Sequence, residues 1–239
     1  MPKQTVISQP LYFNADALPQ AEPHYVCWLD VMGSRKAMSY SWRRSANFIG
    51  RLHSAVLSCD RVNARVYPVM DGVFITSRSH RDMLSLVRAV LANLAFTFAK
   101  AKDDRHRFLV RGGLAFGHVV HGADIDKGAS PIIAEAGSYR DSLLFGIPMI
   151  QAFEAEHHAP PFGVAIDVSA RGFSEDGFVP LSGRWFIWHN QTDYPFMAEF
   201  KDALKKYFDW CDRHAQSMEY GKDRLLEHRN MAEEYFGEE

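Results

Sequence analysis

The sequence predicts a single α+β domain, a helix-and-sheet sandwich of order β-α-β-β-α-β, on three observations. Two short apolar runs, 62–70 and 73–77, flank Asp71-Gly72, a dipeptide that favours a hairpin turn. A third apolar run, 25–30, precedes the hairpin, and a fourth, 108–120, follows it. Between these runs lie two stretches whose apolar residues recur at helical spacing. A hairpin set between two helices argues for a ferredoxin-like arrangement and against a doubly wound parallel sheet.

Taken in order, residues 1–23 carry Pro10, Pro19 and Pro23 and no sustained period, which predicts an irregular lead-in. Tyr25-Val26-Cys27-Trp28-Leu29 reads as a buried strand ending in Asp30. Gly33-Ser34 breaks it. Trp42, Ile49, Leu52 and Val56 then give a helix with one core-facing stripe. Ser79 or Asp82 is placed to cap a second helix, whose Met83, Val87, Val90, Leu94 and Phe98 form a long stripe. Gly112, Gly113 and Gly117 interrupt the strand at 108–120, which implies a bulge or a close approach by another part of the chain. Residues 121–138 are turn-rich. A helix follows Pro148, with Ile150, Phe153 and Ala155 as expected packing residues. Strands are expected at 162–168, 178–179 and 185–188. A helix-rich tail closes the chain, with Phe200, Leu204, Tyr207 and Cys211 on one face. No repeat or low-complexity linker divides it. The expected organisation is a lead-in at 1–23, a core domain at 24–195, and a helical extension at 196–239 packed on that domain.

The chain has 239 residues, 47% hydrophobic and 23% charged, with a net charge of −2. That is enough for one substantial core and gives no global attraction to nucleic acid or membrane. No signal-peptide apolar region and no apolar run of bilayer-spanning length stand out. Three cysteines without CxxC spacing argue against a disulfide framework. A cytoplasmic protein is expected.

Asp30 and Asp71 are each the one ionic side chain at the end of a segment otherwise fit for a core. A buried carboxylate needs a partner, and a divalent cation between two of them is one solution. In the predicted sheet the first strand and the hairpin are neighbours, so the two aspartates can meet. Oxygen-only ligands suit Mg²⁺ or Mn²⁺, and two such ions can clamp the attacking and leaving oxygens of a phosphoryl transfer. Gly33 and Ser34, opening a helix, offer backbone N–H groups to a triphosphate. Other patterns fail. His118 and His121 are three apart on a strand and point to opposite faces. Asp124, Asp126 and Glu135 have calcium-loop spacing but Ala129 stands where that loop demands Gly. No GxxxxGK[ST], GxGxxG or GxSxG occurs.

Four segments together resemble the class III nucleotidyl cyclases: YVCWLDVMGSR, RVYPVMDGVFI, FLVRGGLAFGHVV and YRDSLLFGIPMIQAFEAE, in that order between residues 24 and 168. The nearest likeness is to the bacterial pyrimidine cyclases of the Pycsar anti-phage system. The resemblance implies that Asp30 and Asp71 hold two metal ions, Mn²⁺ or Mg²⁺, with the Val31 carbonyl as a further ligand. It also implies a homodimer with active sites at the interface, and a product read by a separate effector. Where purine cyclases carry a base-selecting Lys, this chain has Tyr67; where they carry a base-selecting Asp, it has Leu143. A tyrosine suits a smaller pyrimidine, so UTP is the expected substrate, with CTP the alternative. The family's ribose Asn and phosphate Arg fall on Ile150 and Glu154. A carboxylate cannot stabilise developing phosphate charge, so Arg111 is expected to take that role, with Arg140 as second candidate. Two other readings stand beside this one: a catalytically inactive nucleotide- or protein-binding domain, and a GGDEF-type dinucleotide synthase, whose signature Met70-Asp71-Gly72-Val73-Phe74 lacks.

Overall fold

The computed structural model describes residues 13–172, 179–189, 194–215 and 220–237. Its centre is a seven-stranded mixed sheet in the order β2-β3-β1-β4-β6-β7, with β5 pairing β4. The strands are β1 (Glu22–Val31), β2 (Ala64–Val69), β3 (Gly72–Ser77), β4 (Val110–His121), β5 (Leu144–Phe145), β6 (Val164–Ile166) and β7 (Trp185–Phe186). The helices among the described residues are α1 (Ser34–Tyr40), α2 (Trp42–Ser58), α3 (His80–Lys100), α4 (Pro131–Ala134), α5 (Ser138–Asp141), α6 (Ile147–Glu156), α7 (Val168–Arg171), α8 (Met197–Arg213) and α9 (Lys222–Phe236).

β1 lies between β3 and β4 and is antiparallel to both; β2 and β3 form the hairpin. The first four strands are therefore two interleaved β-α-β units, each with a strand of the other inserted between its own two. β6 runs parallel to β4, and β7 returns antiparallel beside it.

Alternation along β1 separates two cores. Tyr25, Cys27, Leu29 and Val31 face the large one, with Phe48 and Leu52 of α2 and Met83, Val90 and Leu91 of α3. Val26 and Trp28 face a smaller one with Tyr67, Phe74, Ala115, Val119 and Ala152 of α6. Asp30 is in phase with this second face. The helices are capped as their sequences direct: Ser41 accepts from the Arg44 N–H, and Ser79, not Asp82, caps α3 by accepting from the Asp82 N–H. By length and composition α3 could cross a bilayer, yet ten of its residues, Met83 to Ala99, are buried in this core.

β4 explains its glycines. A Cβ on Gly113 would lie 2.0 Å from the Ala152 carbonyl oxygen, so the α6 backbone passes directly over this strand. Close approach, not a bulge, is the reason for glycine there. α8 is tied to α3 by aromatic contacts of Phe98 with Phe200 (5.8 Å) and Tyr207 (5.4 Å). The tail thus shares the large core.

Several expectations need correction. The lead-in does not run to residue 23, because β1 begins at Glu22, where it pairs with Val119 of the long β4. Ile150 does not pack inward: it is exposed on the outer side of α6, whereas Ala152 and Ala155 face the sheet and the half-exposed Phe153 rests its ring 6.0 Å from that of Trp28. Of the expected strand 178–179, Phe178 lies outside the described residues.

Candidate functional site

β1 ends and β3 begins side by side, Asp30 opposite Gly72, which places Asp30 beside Asp71 at the hairpin turn. Gly72 is required here: a Cβ would fall 2.3 Å from the Trp28 ring, which lies across this position. Met70, at φ +52°, bends the turn and stands almost fully exposed at its tip. The buried Ser34 hydroxyl, at the start of α1, donates to a carboxylate oxygen of Asp71.

Asp30 is in an unfavourable place for a charge. Its Oδ1 is buried with no hydrogen-bond partner. Burial, then the neighbouring Asp71 and Glu156 charges, push its carboxyl up to about 7, against the opposing pull of the Val31 N–H and Arg111. An orphaned buried carboxylate oxygen beside a second carboxylate is what a cation would satisfy. Among the described residues no group of three or more His, Cys, Asp or Glu side chains forms a metal cage. The oxygens the chain could offer a hard ion here are those of the two aspartate carboxylates.

Asp30, Val31, Gly33, Ser34, Asp71 and Arg111 all line one cavity of about 670 Å³. That size accommodates a nucleotide-scale ligand. The cavity wraps around the end of β1, and its far wall comes from α2, the segment before β4, and the C-terminal α8 and α9.

Arg111 faces Asp30 across the β1–β4 ladder but is spoken for: it is buried, its Nε donates to the buried Glu156 carboxylate, and its Nη1 reaches the His157 carbonyl oxygen at 3.4 Å. Arg140 lies outside the cavity, with Nη2 2.9 Å from Asp141.

Tyr67 does not line the cavity. It is buried in the smaller core, and its hydroxyl lies 2.5 Å from His121 Nδ1. His121 Nε2 is 3.2 Å from His24 Nε2, and His24 Nδ1 is 2.9 Å from the Glu22 carbonyl oxygen. Burial first, and then the Arg65 charge, push both imidazoles down to about 4, so both are neutral near pH 7. Elimination then orients the chain: the Glu22 carbonyl only accepts, so His24 Nδ1 donates to it. His24 Nε2 must accept from His121 Nε2, and His121 Nδ1 must accept from the Tyr67 hydroxyl. The oxygen of Tyr67 is left as an acceptor, and the Arg65 side chain already donates to it.

Sequence reasoning missed Arg44, Arg105 and Arg224, which line the cavity without a side-chain ion pair or hydrogen bond among the described residues. Arg44 Nε and Nη2 are buried without an acceptor, and its guanidinium carbon sits 5.3 Å from the Phe48 ring centre. These arginines belong to no motif and are scattered over 180 positions, and Arg224 has Glu227 three places on in its helix, so no local pattern marked them out.

No protein-family model and no curated protein matches this chain.

Proposed function

We propose that this protein is a nucleotide cyclase of class III type, a ferredoxin-like homodimer that converts UTP to 3′,5′-cyclic UMP and pyrophosphate with two divalent cations, Mn²⁺ or Mg²⁺. One observation carries the reading: Asp30, with an orphaned buried oxygen, stands beside Asp71 in a nucleotide-sized cavity. The interleaved order β2-β3-β1-β4 supports the fold part of it. In this reading the product is a second messenger of anti-phage defence, made in the cytoplasm and read by a separate effector.

Asp30 and Asp71, with the Val31 carbonyl, would hold the metal ions, which supply charge neutralisation and a lowered pKa for the ribose hydroxyl. Ser34 fixes the Asp71 carboxylate by its hydroxyl bond. In the reaction the 3′-oxygen bonds the α-phosphorus, the bond to the bridging oxygen breaks, pyrophosphate departs, and the hydroxyl proton passes to water. Arg111, neutralised by Glu156, is assigned a positioning role: its charge steadies the Asp30 carboxylate opposite it. Tyr67 is assigned to the base. In a dimer that shares each site, it serves the partner's carboxylates, and its acceptor oxygen matches N3–H of uracil, where cytosine has a lone pair. Ile147, Ile150 and Phe153, exposed along α6, support the dimer.

The neutralised Arg111 favours one competing reading, a cyclase-like domain that binds nucleotide without turnover. Incubation with each of the four NTPs and Mn²⁺, followed by mass analysis, separates the two. UTP should be converted fastest; preference for ATP or GTP overturns the role of Tyr67, and no cyclic product with any NTP overturns the enzyme.

A further inference from the structure

The cavity is divided by charge. Asp30 and Asp71 occupy one side, while Arg44, Arg105 and Arg224 line it from α2, from the segment before β4, and from α9. Arg111 is matched by Glu156, whereas none of these three makes an ion pair among the described residues. Arg44 adds an independent observation: its Nε and Nη2 hydrogens are buried and lack acceptors, a state uncommon in native structures and relieved by an acceptor that enters the cavity. Guanidinium groups meet phosphate oxygens two at a time, and several converging on one space suit a chain of phosphates more than a single carboxylate. A polyphosphate bridged to the aspartates by a divalent ion satisfies both halves of the cavity at once.

We propose that Arg44, Arg105 and Arg224 form a polyphosphate subsite, which takes the β- and γ-phosphates of the nucleoside triphosphate, and that α9 delivers Arg224 to it within the same chain. This rests on the nucleotide reading of the cavity and extends it to the C-terminal helices, which share no segment with the cyclase-like stretch 24–168. α9 is anchored for the task. Leu225, Tyr235 and Phe236 are buried in the large core, the Tyr235 hydroxyl donates to the Phe186 carbonyl oxygen at 2.5 Å, and the Tyr220 hydroxyl pairs with the buried His228. Arg224 thus projects from a helix that is fixed on its other side.

The test is calorimetric titration of the full chain with inorganic tripolyphosphate, with and without Mg²⁺, for wild type, Arg44→Gln and Arg224→Gln. Wild type should bind, and each substitution should weaken binding by about tenfold, the equivalent of one charge-assisted hydrogen bond. Arg224 is exposed, so Arg224→Gln should keep its melting temperature and remains decisive if Arg44→Gln fails to fold. No binding by wild type, or unchanged affinity in Arg224→Gln, overturns the subsite. The two readings fail separately. Arginine-dependent tripolyphosphate binding in a protein that yields no cyclic product keeps the subsite and removes the cyclase. UTP cyclisation with unchanged KM in Arg224→Gln keeps the cyclase and removes the subsite.

Discussion

The Tyr67 hydroxyl donates to His121 Nδ1, and the direction of that bond is set by the Glu22 carbonyl at the far end of a two-histidine chain. A residue that could in principle donate or accept is thereby reduced to an acceptor.

Removing that constraint should change base choice. In His121→Leu the Tyr67 hydroxyl is free to donate, so the preference for UTP over CTP should narrow by about tenfold, the worth of one hydrogen bond. The variant should also lose about 1–3 kcal/mol of stability, because a buried hydroxyl loses its partner. The ratio of kcat/KM for the two triphosphates is the measurement; an unchanged ratio removes Tyr67 from base recognition.

The same histidines set an acid limit. His24 and His121 are held near 4 in the folded chain against 6.5 when free, so folding excludes two protons in that interval. Stability is fully present above pH 6.5 and falls as pH drops toward 4, because the unfolded state binds the protons. Protonation also sets N–H against N–H between the two rings. Chemical denaturation from pH 7 to pH 4.5 should show this fall, and His24→Gln/His121→Gln should flatten it.

Asp30 works in the opposite sense. Its carboxyl is pushed up to about 7 from 3.8, so the folded chain keeps a proton that the unfolded chain has released. Its contribution is therefore lost as pH rises through that window. In metal-free buffer at pH 8, Asp30→Asn should be more stable than wild type by roughly 1–3 kcal/mol, after discounting for partial exposure. The same variant should make no cyclic nucleotide, and Asp71→Ala should behave alike in activity. Mn²⁺ should raise the wild-type melting temperature at pH 8, less at pH 6 where the proton competes, and leave Asp30→Asn unmoved. Normal turnover in either variant would falsify the metal assignment.

The outer face of α6 gives a prediction about assembly. Ile150 is 60% exposed between Ile147 and Phe153. Ile150→Asp should shift the protein from dimer to monomer in sedimentation velocity and abolish turnover, while its melting temperature changes little, as expected for a surface site. A fully active monomer rules out a shared site.

The order of the sheet was legible because the Asp71-Gly72 turn and the period-two and period-3.6 stripes are local signals. The meeting of Asp30 with Asp71 followed from that order. The rest was not local. Arg111 reads as a free cation in a glycine-rich strand until Glu156, 45 positions on, is seen to neutralise it. Ile150 looks like a core residue because it is apolar, whereas the Gly113 contact presses the Ala152 side of α6 to the sheet. Tyr67 gave no hint of its proton's direction, since that depends on His24 and His121 from two other strands.

The placement of α9 has a consequence for how the molecule comes together. The acidic side of the cavity is complete once β1 and the β2–β3 hairpin pair, a step that needs short chain closures. The cationic side waits for Arg224, nearly two hundred positions from Asp30. Contacts of such separation close late, since chain entropy opposes them until the sheet exists to receive them. On refolding, native sheet circular dichroism should therefore recover before tripolyphosphate binding does; simultaneous recovery would show that helix and sheet assemble as one cooperative unit. Ligand competence would then be the last property this chain acquires.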